Sequence, residues 1–296
     1  MKDLSFVFDV GGTNTRAAVT DGERLLKKAT WPTPVDYETG VQRLTEQLEL
    51  WRAAKGPGDQ ASPSRWVGAV AGTVHLDGRS LVRAPHLSDW VGQPLWSDLN
   101  RRFKLRSGKL INDAAAAALG EANKGSGRGF NIVAYLTIGT GVGGARVEHG
   151  HLTASAAGFE PGHQLIGQAV SDKRDNGRQL VTVEDLISGT ALAKRASRPL
   201  TEVKEVKFWR TVTLDTALAI HNLILTWSPD VVVLGGSVTK QLQWPLLRQT
   251  VRQQLGSWPK QPVIKQSKLK DLAGLWGASL VLYLEQIKVK TDEQGA

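Results

Sequence analysis

Two hydrophobic periods alternate along this chain. Leu4–Val10 and Thr15–Thr20 alternate or run apolar about Gly11-Gly12, which reads as two strands joined by a hairpin-like turn. Arg24–Thr30 reads as a third strand. From Tyr37 to Ala54 the apolar positions Val41, Leu44, Leu48 and Trp51 fall three and four apart, the spacing of a helix with one buried face. Gly56–Ser64 is rich in proline, glycine and serine and reads as a loop. Trp66–Ala71 follows as a buried strand, and Pro94–Phe103 as a short helix opened by proline.

The pattern then starts again. Leu110-Ile111 ends a strand, Asp113–Asn123 is an alanine-rich helix, and Ile132–Ile138 and Val142–Val147 are strands about Gly139 and Gly141. Glu184–Ala196, Trp209–Trp227, Val238–Leu255 and Asp271–Gln286 read as helices, with Val231–Leu234 a short all-apolar strand. Strand, glycine turn, strand, then helix and strand therefore occurs twice, near the N-terminus and after residue 130. A duplicated α/β unit with a cleft between its halves is the simplest architecture, and 296 residues suit two domains.

Composition narrows the class. Hydrophobic residues at 41% and charged residues at 22% match a soluble globular protein. No apolar run approaches the roughly 20 residues of a spanning helix. The apolar stretch Met1–Val10 is broken by Asp9 and reads as a mature strand rather than an export signal, so a cytoplasmic protein without membrane partners is expected. With no cysteine, disulfides and thiolate metal sites are excluded. A net charge of +9 and ten tryptophans raise nucleic acid as a partner. The basic residues are scattered, however, and the short clusters Arg101–Arg106 and Lys204–Arg210 read as solvated faces beside buried aromatics, so nucleic-acid binding is not expected.

Candidate chemistry lies in the turns. Asp9-Val10-Gly11-Gly12-Thr13-Asn14-Thr15-Arg16 puts a carboxylate at a strand end, then two glycines that let a phosphate approach the main chain while Asp9 holds magnesium, directly or through water. No Gly-Lys-Ser/Thr follows, so it is not a Walker loop; a strand follows where a helix should begin, so it is not a dinucleotide fingerprint. The plainer reading is an ordinary glycine turn with a surface aspartate. Thr137-Ile138-Gly139-Thr140-Gly141-Val142-Gly143-Gly144 and Leu234-Gly235-Gly236-Ser237 are two more glycine turns at strand ends. Each alone is weak; the three together resemble loops gripping one nucleotide.

Asn112-Asp113 closes a strand and opens a helix of small residues. Asp113 reads as a helix cap and, compatibly with that, as a carboxylate placed to take a hydroxyl proton as that oxygen attacks phosphorus, and Asn112 beside it can donate to a sugar hydroxyl. Glu160-Pro161-Gly162-His163 is a rigid turn able to aim both side chains one way. Glu184 stands at a helix start, where an acidic residue is also common without function.

In order and spacing these motifs resemble the bacterial glucokinases and the ROK (repressor–ORF–kinase) sugar kinases over about residues 4 to 285. The resemblance implies an actin-like ATPase fold: two RNase H-like α/β domains around a central cleft. Residues 1–112 would form the smaller domain, joined by the last helix at about 271–290, and 113–270 the larger. It implies transfer of the γ-phosphoryl group of ATP to a hexose, glucose to glucose 6-phosphate foremost, as a step of glycolysis. Asp113 would be the base; Asn112, Asp113, Glu160, His163 and Glu184 the sugar contacts; Gly11, Gly12, Thr13, Asn14, Arg16, Thr137, Gly139, Thr140, Gly141, Gly235 and Gly236 the ATP loops; and Asp9 the magnesium ligand. Polyphosphate as donor, an N-acetylated hexose as acceptor and a non-catalytic sugar-binding regulator remain alternatives, and a homodimer is compatible with all of them. Two departures stand out. The span Gln164–Val183 lacks the family's cysteine-rich zinc loop, so structural zinc is not expected, and His86 stands where asparagine is common. With its first strand at residue 4, the chain is not expected to carry the DNA-binding module of ROK repressors.

Overall fold

A computed structural model of the protein describes residues 4–54, 62–170 and 178–294. Most of the loop expected at Gly56–Ser64 lies outside the described residues, as do residues 171–177 of the cysteine-free span. The chain forms two compact units, one of residues up to Gly120 together with those from Leu272 onward, the other from Glu121 to Asp271.

The first unit runs β1 (Ser5–Val10), β2 (Asn14–Thr20), β3 (Leu25–Pro32), α1 (Tyr37–Ala53), β4 (Arg65–Val70), the short pair β5 (Thr73–Val74) and β6 (Leu81–Arg83), α2 (Leu95–Phe103), β7 (Ser107–Asn112) and α3 (Asp113–Lys124). Its sheet has the order β3-β2-β1-β4-β7. The first two pairings are antiparallel, as tight turns allow, and the last two are parallel, reached through helical crossovers. Asp36 caps α1 by accepting from Thr39 N, and Tyr37, Val41, Leu44 and Leu48 form its buried face. The core is aromatic: Phe6, Phe8, Trp66 and Phe103 make edge and stacked contacts at 5.3–6.1 Å. Trp31, Trp66, Trp90 and, in the second unit, Trp209 are buried, so these tryptophans serve packing rather than a stacking surface.

The second unit continues with β8 (Ile132–Ile138), β9 (Val142–Glu148), β10 (His151–Leu152), β11 (Leu165–Val170), β12 (Arg178–Thr182), α4 (Val183–Ile187), α5 (Gly189–Ala196), α6 (Val206–Trp227), β13 (Val231–Gly235), α7 (Trp244–Leu255) and β14 (Val263–Gln266). Its main sheet, β10-β9-β8-β13-β14, repeats the order and strand senses of the first. The duplication read from the sequence is thus a repeated RNase H-like topology. Asp230 fastens the starts of two parallel strands, accepting from Ile132 N at 2.9 Å while its own N–H reaches the Ile132 carbonyl.

α8 (Ala273–Gln294) returns to the first sheet. It crosses α3 through small residues: a methyl at Gly277 would overlap the backbone of Ala116, and one at Gly120 the carbonyl of Ala273. That crossing assigns the first turns of α3, Asp113 included, to the first unit, so the units divide after Gly120 rather than after Asn112. Two expected helices are each interrupted. Glu184–Ala196 breaks at Ser188, whose backbone is extended and whose hydroxyl caps α5 through Ala191 N. Val238–Leu255 becomes a 3-10 turn, Val238–Gln241, then α7 with Pro245 in its first turn, because proline has no N–H to bond back and its ring clashes with the carbonyl four residues upstream in a continuous helix. The short strands β5, β6, β10 to β12 and β14 carry too little periodicity to be read in advance. Among the described residues no helix is long and apolar enough to cross a membrane.

Candidate active site

In the first unit the parallel strands β1, β4 and β7 end side by side, with Val10 paired to Val70 and Val70 to Asn112. Ligands of open α/β sheets bind outside such carboxyl ends. Asn112 is held by three bonds: its Nδ2 donates to the Gly72 carbonyl at 2.9 Å and to Asp113 Oδ1 at 3.2 Å, and its Oδ1 accepts from Ala115 N at 2.9 Å. A carbonyl on one side and an N–H on the other fix which end of the amide is oxygen. The helix cap is therefore Asn112, and Asp113 is relieved of that duty. Asp113 Oδ1 also accepts from Ala114 N at 2.8 Å, so two N–H groups orient one edge of the carboxylate. Both amide hydrogens of Asn112 are engaged; what it retains for a sugar is the second lone pair of its oxygen, as an acceptor rather than the expected donor.

The first glycine loop lies at the end of β1. Gly11 N donates to the Asn14 carbonyl at 3.0 Å, closing the turn. Thr33, just past β3, backs it: its hydroxyl donates to the Gly11 carbonyl at 2.7 Å and its N–H to the Thr13 carbonyl at 2.9 Å. A trans peptide aims its N–H opposite to its carbonyl, so the Gly12 N–H faces away from Thr33. Gly12 and Thr13 are exposed. His86 crosses this loop, its Cβ only 2.8 Å from where a Gly12 side chain would begin, so the departure at position 86 sits on the first glycine turn. Asp9 and Arg16 face each other in the β1–β2 register. The Asp9 carboxylate packs flush against Gly274 in the first turn of α8, where any side chain would overlap it.

The second unit assembles the remaining candidates around Val142. Thr137 on β8 sits between Gly143 of β9 and Gly235 of β13, which puts the second and third glycine turns next to each other. Gly236, at φ 88°, packs on the Ile138 backbone, a conformation and an approach that both require glycine. Behind the second turn stands α5: Gly189 N donates to the Gly139 carbonyl at 2.7 Å, and Thr190 N and Oγ1 both donate to the Thr140 carbonyl, at 3.1 and 2.9 Å. Every peptide here is trans, so the N–H groups of Thr140 and Gly141 turn away from α5 as a pair of donors suited to phosphate oxygens. Pro161–His163 is a 3-10 turn that follows Glu160 and rests on β9, with Gly162 against the Val142 carbonyl. Glu160 Oε2 lies 3.3 Å from His163 Nδ1. Glu184 Oε2 accepts from Val142 N at 2.7 Å. Next to it Thr182, through its hydroxyl and then its backbone N–H, holds the Asp185 carboxyl below the ordinary 3.8, with His163 adding a smaller effect.

The candidate residues thus form two local groups. Asp9, Gly11, Gly12, Thr13, Asn14, Arg16, Asn112 and Asp113 belong to the first unit; Thr137, Gly139, Thr140, Gly141, Glu160, His163, Glu184, Gly235 and Gly236 belong to the second.

The sequence profile of the ROK family matches residues 6–284. The chain belongs to the ROK family. A glucokinase of Thermotoga maritima is 27% identical to it over 315 residues, spanning 93% of this chain and 95% of its own. The N-acetylgalactosamine kinase AgaK of Shewanella sp. strain ANA-3 is 28% identical over 307 residues, spanning 94% and 96%. A ROK hexokinase structure from Thermus thermophilus covers 96% of this chain and 99% of its own with a TM-score of 0.78 at 27% identity. These likenesses carry the actin-like ATPase fold and place this ROK protein among the family's sugar kinases.

Sequence reasoning missed Thr33, Thr190, Gly72 and Gly274, which shape the site from behind. Thr33 had a weak signal in Trp31-Pro32-Thr33-Pro34, and Thr190 in the Ser188-Gly189-Thr190 helix start. Gly72 and Gly274 had none, since each acts on a residue distant in the chain.

Proposed function

We propose that this ROK protein is an ATP-dependent hexokinase that moves the γ-phosphoryl group to a hexose hydroxyl, the 6-hydroxyl of glucose foremost. The observation that carries the reading is Asp113, a carboxylate at a parallel-strand end with one edge locked by Asn112 Nδ2 and Ala114 N. A base must be aimed before its proton affinity matters. On this reading the hexose hydroxyl oxygen bonds to the γ-phosphorus, its proton passes to Asp113, and the bond to the β–γ bridging oxygen breaks to release ADP. Little covalent work falls to the protein, so holding and orienting the two substrates is its main contribution.

Glu160, His163 and Glu184 are assigned to the other sugar hydroxyls, with Asn112 as an acceptor. Thr137, Gly139, Thr140, Gly141, Gly235 and Gly236, with Gly11, Gly12, Thr13, Asn14 and Arg16, are assigned to the nucleotide. The outward N–H groups at Gly12, Thr140 and Gly141 support that assignment. Among the described residues no group of three acidic or histidine side chains forms a metal cage. A single Asp9 carboxylate nevertheless fits magnesium, which takes one or two carboxylates and otherwise phosphates and water. When bound, the ion would neutralise charge on the phosphates. The enzyme would then work in the cytoplasm on small molecules, supplying sugar phosphate to glycolysis, with a homodimer compatible.

The deciding experiment is a coupled assay over glucose, mannose, fructose and N-acetylated hexoses, each with ATP and with polyphosphate. Turnover of glucose with ATP supports the proposal. Turnover only with polyphosphate, or only of N-acetylated sugars, replaces the donor or the acceptor. Tight sugar binding without turnover under any donor would turn the reading toward a regulator.

A further inference from the structure

We propose that Glu184 is a positioning residue for the second glycine turn as well as a sugar contact, so that one carboxylate ties sugar occupancy to the donor loop. The inference rests on the kinase reading and deepens it. Its basis is that the two oxygens of this carboxylate face different duties. Oε2 accepts from the Val142 N–H at 2.7 Å, and a side chain added at Gly141 would begin 2.7 Å from the same oxygen. The Glu184 carboxylate therefore lies along the Gly141–Val142 backbone, at the exit of the turn whose Thr140 and Gly141 N–H groups point away from α5. Oε1 is the edge left to a sugar hydroxyl.

The anchoring continues into the next residues of the chain. Within seven residues, the elbow between α4 and α5 grips the turn at both ends: Glu184 at Val142, Gly189 at the Gly139 carbonyl, and Thr190 at the Thr140 carbonyl. Ser188 sets the elbow, ending α4 and capping α5. The sugar turn is bound to the same elbow, since Val183 N donates to the Gln164 carbonyl at 3.0 Å and Gly162 packs on the Val142 carbonyl. A hydroxyl bound at Oε1 fixes the Glu184 side chain, and a fixed Glu184 holds Val142 and the turn before it. A turn already ordered costs a phosphate less to engage, which is positive linkage between the substrates.

The test is direct titration of ATP with magnesium, in the absence of sugar, into the parent and the variants Glu184→Ala, Glu184→Gln and Thr190→Val. Glu184→Ala should weaken ATP binding about tenfold or more, the loss of one charge-assisted bond to a buried N–H. Glu184→Gln should recover most of it, because an amide oxygen can still accept from Val142 N–H, while sugar binding stays impaired in both. Thr190→Val removes only the hydroxyl bond and should weaken ATP about threefold to tenfold with sugar binding unchanged. Adding sugar should tighten ATP binding in the parent and not in Glu184→Ala. If Glu184→Ala binds ATP as the parent does and loses sugar alone, Glu184 is a sugar contact only and the inference is overturned. A parent that takes up no nucleotide overturns the kinase reading itself, and this inference with it. Should Glu184→Ala fail to fold, as a lost cooperative melt would show, the Gln and Val variants decide: equal ATP affinity for parent and Thr190→Val, with no linkage change in Glu184→Gln, overturns it too.

Discussion

Asn112 carries two separable duties, and a pair of substitutions pulls them apart. Its Oδ1 caps α3 at Ala115 N, and its Nδ2 steadies Asp113 Oδ1 while bound to the Gly72 carbonyl. Replacing a capping residue by alanine costs about 1 kcal/mol, and the lost bond to Gly72 about another 1 kcal/mol. Asn112→Ala should therefore destabilise the protein by about 2 kcal/mol, read as a lower denaturant midpoint. Asn112→Ser keeps a side-chain oxygen at the cap, so it should recover about half of that. Neither alanine nor serine can reach Asp113 as the amide does. Both should lower kcat by about 10- to 100-fold, the usual scale for a catalytic group displaced by a fraction of an ångström to an ångström. Initial rates with glucose and ATP, set against urea midpoints for the same preparations, give the comparison. The reasoning is refuted if turnover follows stability, with Asn112→Ser active as the parent and only Asn112→Ala impaired. Asn112 would then be a helix cap and nothing more.

Other expectations follow from the same geometry. Asp113→Asn should lower turnover by about 10² to 10⁴, the range for a general base, with glucose affinity by calorimetry nearly unchanged; near-normal turnover would remove Asp113 from that role. Glu160→Ala and His163→Ala should each weaken sugar binding by about 1 to 3 kcal/mol, the cost of leaving polar partners unpaired, without altering ATP affinity in sugar-free protein. Unchanged glucose titrations in both would show that this turn is not a sugar contact. The Asp230 carboxyl is held below the ordinary 3.8, chiefly by its hydrogen bond to Lys260 and then by Ile132 N–H. A depressed folded value contributes stability above the unfolded value, and that contribution is lost as pH falls through the folded one. Asp230→Asn should therefore lower stability at neutral pH and flatten its decline below about pH 4; parallel acid-unfolding profiles for parent and variant would contradict this.

Much of the fold was legible because its signals are local. Short apolar runs at Leu4–Val10 and Ile132–Ile138, a period-3.6 face at Val41, Leu44 and Leu48, and glycines at strand ends each report their own neighbourhood. The repeated order of those signals gave two equivalent sheets. Errors arose where two signals overlapped. Glu184–Ala196 keeps a helical apolar period across Ser188, so the turn hidden in Ser-Gly did not show, and Trp244-Pro245 was absorbed into a longer run.

What the sequence determined by itself is the set of residue types at strand ends: Asp9, the three glycine turns, Asn112-Asp113, Glu160 with His163, and Glu184. Their order and spacing along the chain carry the resemblance to the ROK kinases. Which atom of each residue is engaged was decided by tertiary structure alone. The Asn112 amide donates to the carbonyl of Gly72, forty residues upstream. Thr33 and Thr190 became the backing of two loops because strand pairing and a helix elbow carry them there. Glu184 came to hold Val142, forty-two residues away. A hydrogen bond depends on the direction of two groups in space, and for residues so far apart in the chain that direction exists only once the sheets and helices between them have packed.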